Sequence, residues 1–307
     1  MIRAERLTKK FGDKTAVDGI SFQVEAGEIY GLLGPNGAGK TTTLSMISGL
    51  LAPDSGSVTF DGIDLASDPI RFKQRLGVVP QDVALYEELT AIENVRFWGS
   101  LYGLSGKTLA EAAARALERV GLTGRARDAV KTYSGGMKRR LNLALGLVHS
   151  PTAVLLDEAT AGIDPQARAS ILGVVRGIAD AGTAVIYTTH YLEEAEQLCD
   201  RIAIVDHGRV LAEGTLDELK GRLGEEDVVT LWGRFEADAA RAALAPIPGT
   251  RVLSATAGKV ALSAGERGAA ALLAEIYDRG LAIERVAIEP PSLNALFLRL
   301  TGRELRD

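Results

Sequence analysis

The chain has 307 residues, 46% hydrophobic and 24% charged, enough to build a full core without a disulfide or metal staple. A formal charge of −5 argues against a general nucleic-acid binder, which needs a basic face. The single cysteine, Cys199, has no internal disulfide partner and fits a reducing compartment, and no metal-ligand spacing of Cys and His occurs. The start lacks the apolar run of a signal peptide, and no stretch of about 18 to 20 apolar residues reads as a spanning helix. The chain is therefore expected to be soluble alone, and to dock on a partner if it serves a membrane process.

Short apolar runs alternate with longer helical patterns, the mark of an α/β domain. Residues 28–33 (EIYGLL) read as a buried strand, followed by a glycine-rich turn and a helix over 40–48. Residues 56–60 alternate as a strand before the turn Asp61-Gly62. From 82 to about 150 the pattern is mainly helical, with EAAARALERV its clearest piece. Strands return at 153–157, 183–188 and 202–205, with helical segments at 165–182 and 191–198 between them. Residues 219–227 turn polar and glycine-bearing, which places a linker there. Beyond it the expected order is strand 228–232, helix 236–244, strand 250–255, strand 259–263, helix 267–279 and strand 282–288. That order matches a split βαβ, ferredoxin-like unit, and a last helix follows Pro290-Pro291. The reading is an α/β domain over 1–220 with a helical subdomain at about 82–150, and a small α+β accessory domain over 225–307.

The run Gly34-Pro35-Asn36-Gly37-Ala38-Gly39-Lys40-Thr41 fits G-x-x-x-x-G-K-[ST] between a strand and a helix. Glycines let consecutive N–H groups curl around phosphate oxygens, and the helix start adds positive partial charge. Lys40 is placed to reach the β- and γ-phosphates, and Thr41 to offer its hydroxyl to Mg²⁺. The run 153–160 (AVLLDEAT) reads as a buried parallel strand delivering Asp157 and Glu158 at its carboxyl edge, where open α/β sheets bind ligands. Asp157 suits Mg²⁺, and Glu158 suits accepting a proton from the attacking water.

Between these motifs lies Tyr133-Ser134-Gly135-Gly136-Met137-Lys138-Arg139-Arg140. By itself this is a serine-capped helix start or a second phosphate cradle. Together with the other motifs it resembles the signature of ABC ATPases, usually LSGGQ, with Tyr133 for Leu and Met137 for Gln. Met followed by Lys-Arg-Arg resembles the drug, antibiotic and lipid exporter branch. The resemblance implies an α/β fold of the P-loop ABC cassette type, with a mixed sheet core and a helical subdomain. It implies that loop 34–42, including Thr42, holds ATP, and that Gln81 senses Mg²⁺ and the attacking water. It further implies that Asp164, in Ala161-Gly162-Ile163-Asp164-Pro165, belongs to the D-loop, that His190 contacts the γ-phosphate, and that Phe11 stacks on adenine.

In this family Ser134, Gly135 and Gly136 of one subunit close over the ATP held by another. The resemblance thus implies a head-to-tail pair with a second copy or a related ATPase, two ATP molecules with Mg²⁺ between them, and separate integral membrane permease subunits. It places the chain peripherally, on the cytoplasmic face of the membrane, with no nucleic acid partner. A soluble repair or translation ATPase and an importer ATPase remain open as alternatives. Aromatic and leucine side chains at 85–104 (Leu85, Tyr86, Leu89, Phe97, Trp98, Tyr102, Leu104) form either a permease-docking groove or core of the helical subdomain. The tail EPPSLNALFLRLTG, 289–302, resembles the exporter-branch ending, with Asn294 and Ala295 where Glu and Asp are usual. Its bland reading is a closing amphipathic helix packed through Leu293, Leu296, Phe297 and Leu300.

Overall fold

Strands β1 (Ile2–Phe11) and β2 (Lys14–Val24) open the chain as an antiparallel pair. Arg6, with φ 47°, sits at a register shift between Ala4 and Leu7, as a bulge residue does. The computed structural model describes residues 1–221, 227–265, 268–277, 279, 281–289 and 292–301. Strand β3 (Ile29–Leu33) is buried at every residue, as a central parallel strand must be, and runs through a loop into helix α1 (Lys40–Ile47). Strands β4 (Ser55–Phe60) and β5 (Ile63–Asp64) complete an antiparallel sheet of order β2-β1-β4-β5. The sequence reading did not anticipate β1, β2 or β5.

Helix α2 (Pro69–Lys73) and strand β6 (Leu76–Val79) precede three helices, α3 (Ala91–Leu101), α4 (Gly106–Arg119) and α5 (Gly135–Leu147). Thr90 and Glu93 form a reciprocal capping box that starts α3, so helix begins nine residues after Asp82 rather than at it. Then come β7 (Ala153–Asp157), α6 (Pro165–Asp180), β8 (Ala184–Thr189), α7 (Leu192–Leu198) and β9 (Arg201–Asp206). The strands neighbour one another as β9-β3-β8-β7-β6, with β3–β9, β3–β8, β7–β8 and β6–β7 all parallel. Parallel pairing sends the loops after β6, β7, β8 and β3 to one carboxyl edge, and this places the site. Between β3 and β9 the packing is tight: a Cβ at Gly31 would lie 2.6 Å from the Sγ of buried Cys199, whose thiol burial pushes well above its usual pKa.

The chain divides into two units, 1–210 and 211–307, and β10 (Arg209–Gly214) leads from the first into the second. The break falls ten residues before the sequence-based boundary at 220. Helix α8 (Leu216–Gly221) explains the difference. Thr215 and Glu218 cap it reciprocally and Leu219 is fully buried, so the expected linker begins as an anchored helix. Residues 222–226 of that linker lie outside the described residues, as do Pro290, Pro291 and Gly302 of the tail motif.

The second unit continues with β11 (Val228–Gly233), α9 (Ala237–Leu244), β12 (Arg251–Thr256), β13 (Lys259–Ser263), α10 (Gly268–Tyr277), β14 (Ile283–Glu289) and α11 (Leu293–Thr301). Its sheet order is β12-β13-β11-β14, antiparallel throughout, which is the strand order of a split βαβ unit. Val229, Leu231, Val260 and Leu262 face Leu244, Leu272 and Ile276 in its core. Helix α11 buries Leu293, Leu296 and Phe297 but leaves Leu300 exposed. Among the described residues no helix is long and apolar enough to cross a membrane.

Candidate active site

The turn between β3 and α1 is closed to side chains at Gly34 and Gly39. A Cβ at Gly34 would meet Val205 O at 2.2 Å, and one at Gly39 would meet Ala16 O at 2.5 Å. Gly37 (φ 83°) and Gly39 (φ 104°) also hold left-handed backbone that other residues adopt only with strain. Gly39, the N-cap of α1, provides no capping side chain, and the first turn carries no acid. The leading N–H groups of α1 therefore point to an anion site. Beside them opens a cavity of about 270 Å³, lined by Phe11, Lys14, Ala16, Asn36, Gly37, Gly39, Lys40, Thr41, Thr42, Gln81 and Glu158.

Lys40 is buried, with Nζ donating to Gly34 O (2.8 Å) and Pro35 O (3.2 Å) and lying 3.3 Å from Glu158 Oε1. Burial lowers its pKa, and the Glu158 charge opposes the shift. Glu158 sits just beyond β7 in left-handed backbone (φ 43°), its N–H donating to Thr188 Oγ1 at 3.0 Å. Gln81 Nε2 donates to Glu158 Oε2 at 3.4 Å. His190 Nδ1 lies 3.1 Å from Glu158 Oε1, within ion-pair range but off hydrogen-bond geometry. One buried carboxylate thus gathers a lysine, a glutamine and a histidine from three other segments. Its neighbour Asp157 accepts from Thr188 Oγ1 at 2.6 Å.

The donor set fits a nucleotide with Mg²⁺. Among the described residues no cluster of three or more His, Cys, Asp or Glu could hold a metal by itself. Asp157 and Thr41 are the carboxylate and the hydroxyl at this edge that would hold Mg²⁺ together with substrate phosphates.

Not every residue read from the sequence joins the cavity. Pro35 contributes only its carbonyl, Ala38 is buried beneath the loop, and Phe11 lines the mouth while 52% exposed. Gly34, Asp157 and His190 lie outside the lining, His190 in contact with the lining residue Glu158, and Ser134, Gly135, Gly136 and Asp164 are absent from it as well. Ser134 caps α5, accepting from Met137 N–H, and Asp164 caps α6, accepting from Ala167 N–H. Within one chain these last four are structural, and a role in ATP binding requires a second chain. Lys14 and Ala16 line the cavity without having been anticipated, because the cross-strand pair Phe11–Lys14 of the unforeseen hairpin brings them there. Glu194 was also missed: buried, it accepts from Thr189 Oγ1 and Tyr187 OH at 2.8 Å each and so fixes the strand end that carries His190.

Away from the cavity, Tyr86 (49%), Leu89 (36%), Phe97 (39%) and Tyr102 (40%) are exposed, with Tyr86 packed edge-on to Phe97 at 5.1 Å. The core reading of the segment 85–104 fails for these four. Tyr102 also stacks on His149 at 3.6 Å.

The sequence model described as ABC transporter matches residues 17–161. The chain is 46% identical over 312 residues to the linearmycin resistance ATP-binding protein LnrL of Bacillus subtilis (strain 168), covering 100% of both chains. The chain belongs to the ABC transporter ATP-binding proteins. Another member, the daunorubicin/doxorubicin resistance ATP-binding protein DrrA of Streptomyces peucetius, is 42% identical over 100% of this chain and 94% of its own. Among solved ABC structures, a dimeric ATP-binding cassette in a post-hydrolysis state with ADP and Pi aligns at a TM-score of 0.63 and 26% identity. It covers 70% of this chain and 99% of its own. The chain is therefore an ABC ATPase, an enzyme that hydrolyses ATP.

Proposed function

We propose that this ABC subunit works as a two-copy sandwich around ATP and Mg²⁺ and powers a separate membrane permease that exports a drug, antibiotic or lipid. The observation that carries the sandwich is the division of the motifs. Lys40, Gln81 and Glu158 line one cavity and His190 contacts Glu158, whereas Ser134–Gly136 opens α5 away from that lining and in this reading meets its nucleotide on another chain. The export reading is supported by relatives that bear resistance names along the full length of the chain.

In this reading the N–H groups of α1 and Lys40 hold the phosphates, and Phe11 stacks on the base. Thr41, Asp157 and Gln81 would hold Mg²⁺, which would supply charge neutralisation on the phosphates. Glu158 takes the proton of the attacking water, Gln81 orients that water, and His190 steadies both Glu158 and the γ-phosphate. When ATP binds, Lys40 exchanges the Gly34 and Pro35 carbonyls and Glu158 for phosphate oxygens, so each contact it gives up is replaced. Ser134 and Gly136 of the second copy complete the cradle. The exposed Tyr86, Phe97 and Tyr102 provide the docking surface for the permease, and residues 211–307 form an accessory domain. With the permease the chain lies at the cytoplasmic face of the membrane.

Phosphate release by the purified chain should rise with the square of protein concentration at low concentration. The Glu158→Gln variant should sediment as a dimer with ATP and as a monomer without it. Release first-order in protein throughout, with a monomeric variant at saturating ATP, refutes the sandwich.

A further inference from the structure

Arg139 is buried on the second turn of α5, where backbone carbonyls accept its hydrogen bonds and Asp82 is near enough to favour its charge. Its Nη1 donates to Gln81 O, and its Nη2 donates to Ala161 O at 3.3 Å. Three residues on, and so on the same helix face, Asn142 Nδ2 donates to Pro80 O at 3.3 Å, while its Oδ1 accepts from Ala84 N–H at 3.4 Å. Helix α5 thus grips the loop 80–84 on both sides of Gln81.

Both arms of the arginine lead to Glu158. Gln81 reaches the Glu158 carboxylate with its side chain (3.4 Å), and Ala161 N–H donates to the Glu158 carbonyl (3.0 Å). One arm therefore constrains the position of the carboxylate and the other constrains the backbone that carries it. The same α5 begins at Ser134–Gly136, about one turn before Arg139. A planar guanidinium presents two donors in fixed geometry to two carbonyls, which the single point charge of a lysine does not reproduce.

We infer that Arg139 is a positioning residue that ties the place of Gln81 and Glu158 in one cavity to the place of the Ser134–Gly136 helix start. The inference rests on the sandwich reading above, in which that helix start faces the nucleotide of the other copy. Hydrolysis at each cavity then depends on whether the other holds ATP, and Asn142 shares the task by holding the flanks of the loop.

The test uses the purified full-length chain and compares wild type, Arg139→Met, Arg139→Lys and Asn142→Ala. Steady-state phosphate release against ATP gives kcat, KM and the Hill coefficient, and sedimentation of the Glu158→Gln background with ATP gives dimerisation. Arg139→Met is expected to lower kcat by about tenfold to a hundredfold, the scale of a misplaced catalytic group. KM should stay within about twofold, because no phosphate contact is removed, and the Hill coefficient should fall to unity from above it. Arg139→Lys should recover only part of kcat. Asn142→Ala, which keeps the buried cation and so remains informative if Arg139→Met does not fold, should lower kcat and the Hill coefficient in the same direction. If the Glu158→Gln background dimerises yet Asn142→Ala and the folded Arg139 variants keep wild-type kcat and cooperativity, the positioning role is overturned while the sandwich stands. If the Glu158→Gln background does not dimerise, the sandwich fails and this inference with it.

Discussion

Replacing Glu158 by glutamine separates two jobs that the geometry assigns to one carboxylate. Lys40 Nζ and Glu158 Oε1 lie 3.3 Å apart in a buried pair, an attraction of about 5 kcal/mol at an effective dielectric constant of about 20. Desolvation of the two ions offsets much of it. Glutamine also keeps an oxygen that can accept from Lys40, so the net loss comes to about 1–3 kcal/mol. At about 2–4 °C per kcal/mol for a unit of this size, the ligand-free variant should melt about 2–12 °C lower. ATP acts in the opposite direction, because its phosphates restore an anionic partner to Lys40. The melting shift on adding ATP should therefore be larger in the variant than in the wild type. Turnover should drop about 10²- to 10⁴-fold, because an amide does not take the proton of the attacking water. Scanning calorimetry with and without ATP, beside phosphate release, reads both effects. Wild-type turnover would remove Glu158 from the chemistry. An unchanged ligand-free melting point, with no larger ATP shift, would show that the ion pair contributes nothing.

Three other expectations follow from particular contacts. Gly39→Ala puts a methyl 2.5 Å from Ala16 O in backbone of φ 104°, so the loop must shift; ATP affinity should fall at least about tenfold in an equilibrium titration, and unchanged affinity would contradict the cradle. Burial pushes His149 below the ordinary imidazole value against its hydrogen bond with Leu76 O. The unfolded chain then takes up a proton near pH 6.5 that the folded chain resists, so stability should fall as pH drops below about 6.5, by at most about 1.4 kcal/mol per pH unit from this group. His149→Phe keeps a ring against Tyr102 and should flatten that limb of the melting curve; parallel acid limbs in both proteins would refute the assignment. Tyr86→Asp combined with Phe97→Asp places charge on the exposed aromatic pair, and a variant that melts normally should no longer co-purify with its permease; retained co-purification would move docking elsewhere.

Much of the site was legible because its residues are local in sequence. A glycine loop between strand and helix, and an apolar strand ending in Asp157-Glu158, announce their chemistry within eight residues each. The βαββαβ order of the second unit was also readable, because its turns and its apolar periodicity agree. What escaped depends on tertiary placement. The β1–β2 hairpin has several register shifts, so strict alternation breaks down, and Lys14 was lost from the site along with it. Arg139 looks like one cation in a basic helix start until α5 is seen folded over the loop of Gln81. Glu194 looks like one acid among several on a short helix until its hydroxyl partners from β8 are in place. The anchoring role of Leu219 in α8 was hidden inside a polar run that reads as a linker.

The close fit of Cys199 beside Gly31 has a practical consequence. The chain's only native thiol is shut away and strongly protonated, so it should not compete with maleimide dyes at neutral pH. Thiols introduced singly at exposed positions flanking Ser134 and Phe11 would then carry fluorophores without a cysteine-free background being made. Distances between two labelled copies could be followed through successive turnovers in an otherwise native protein.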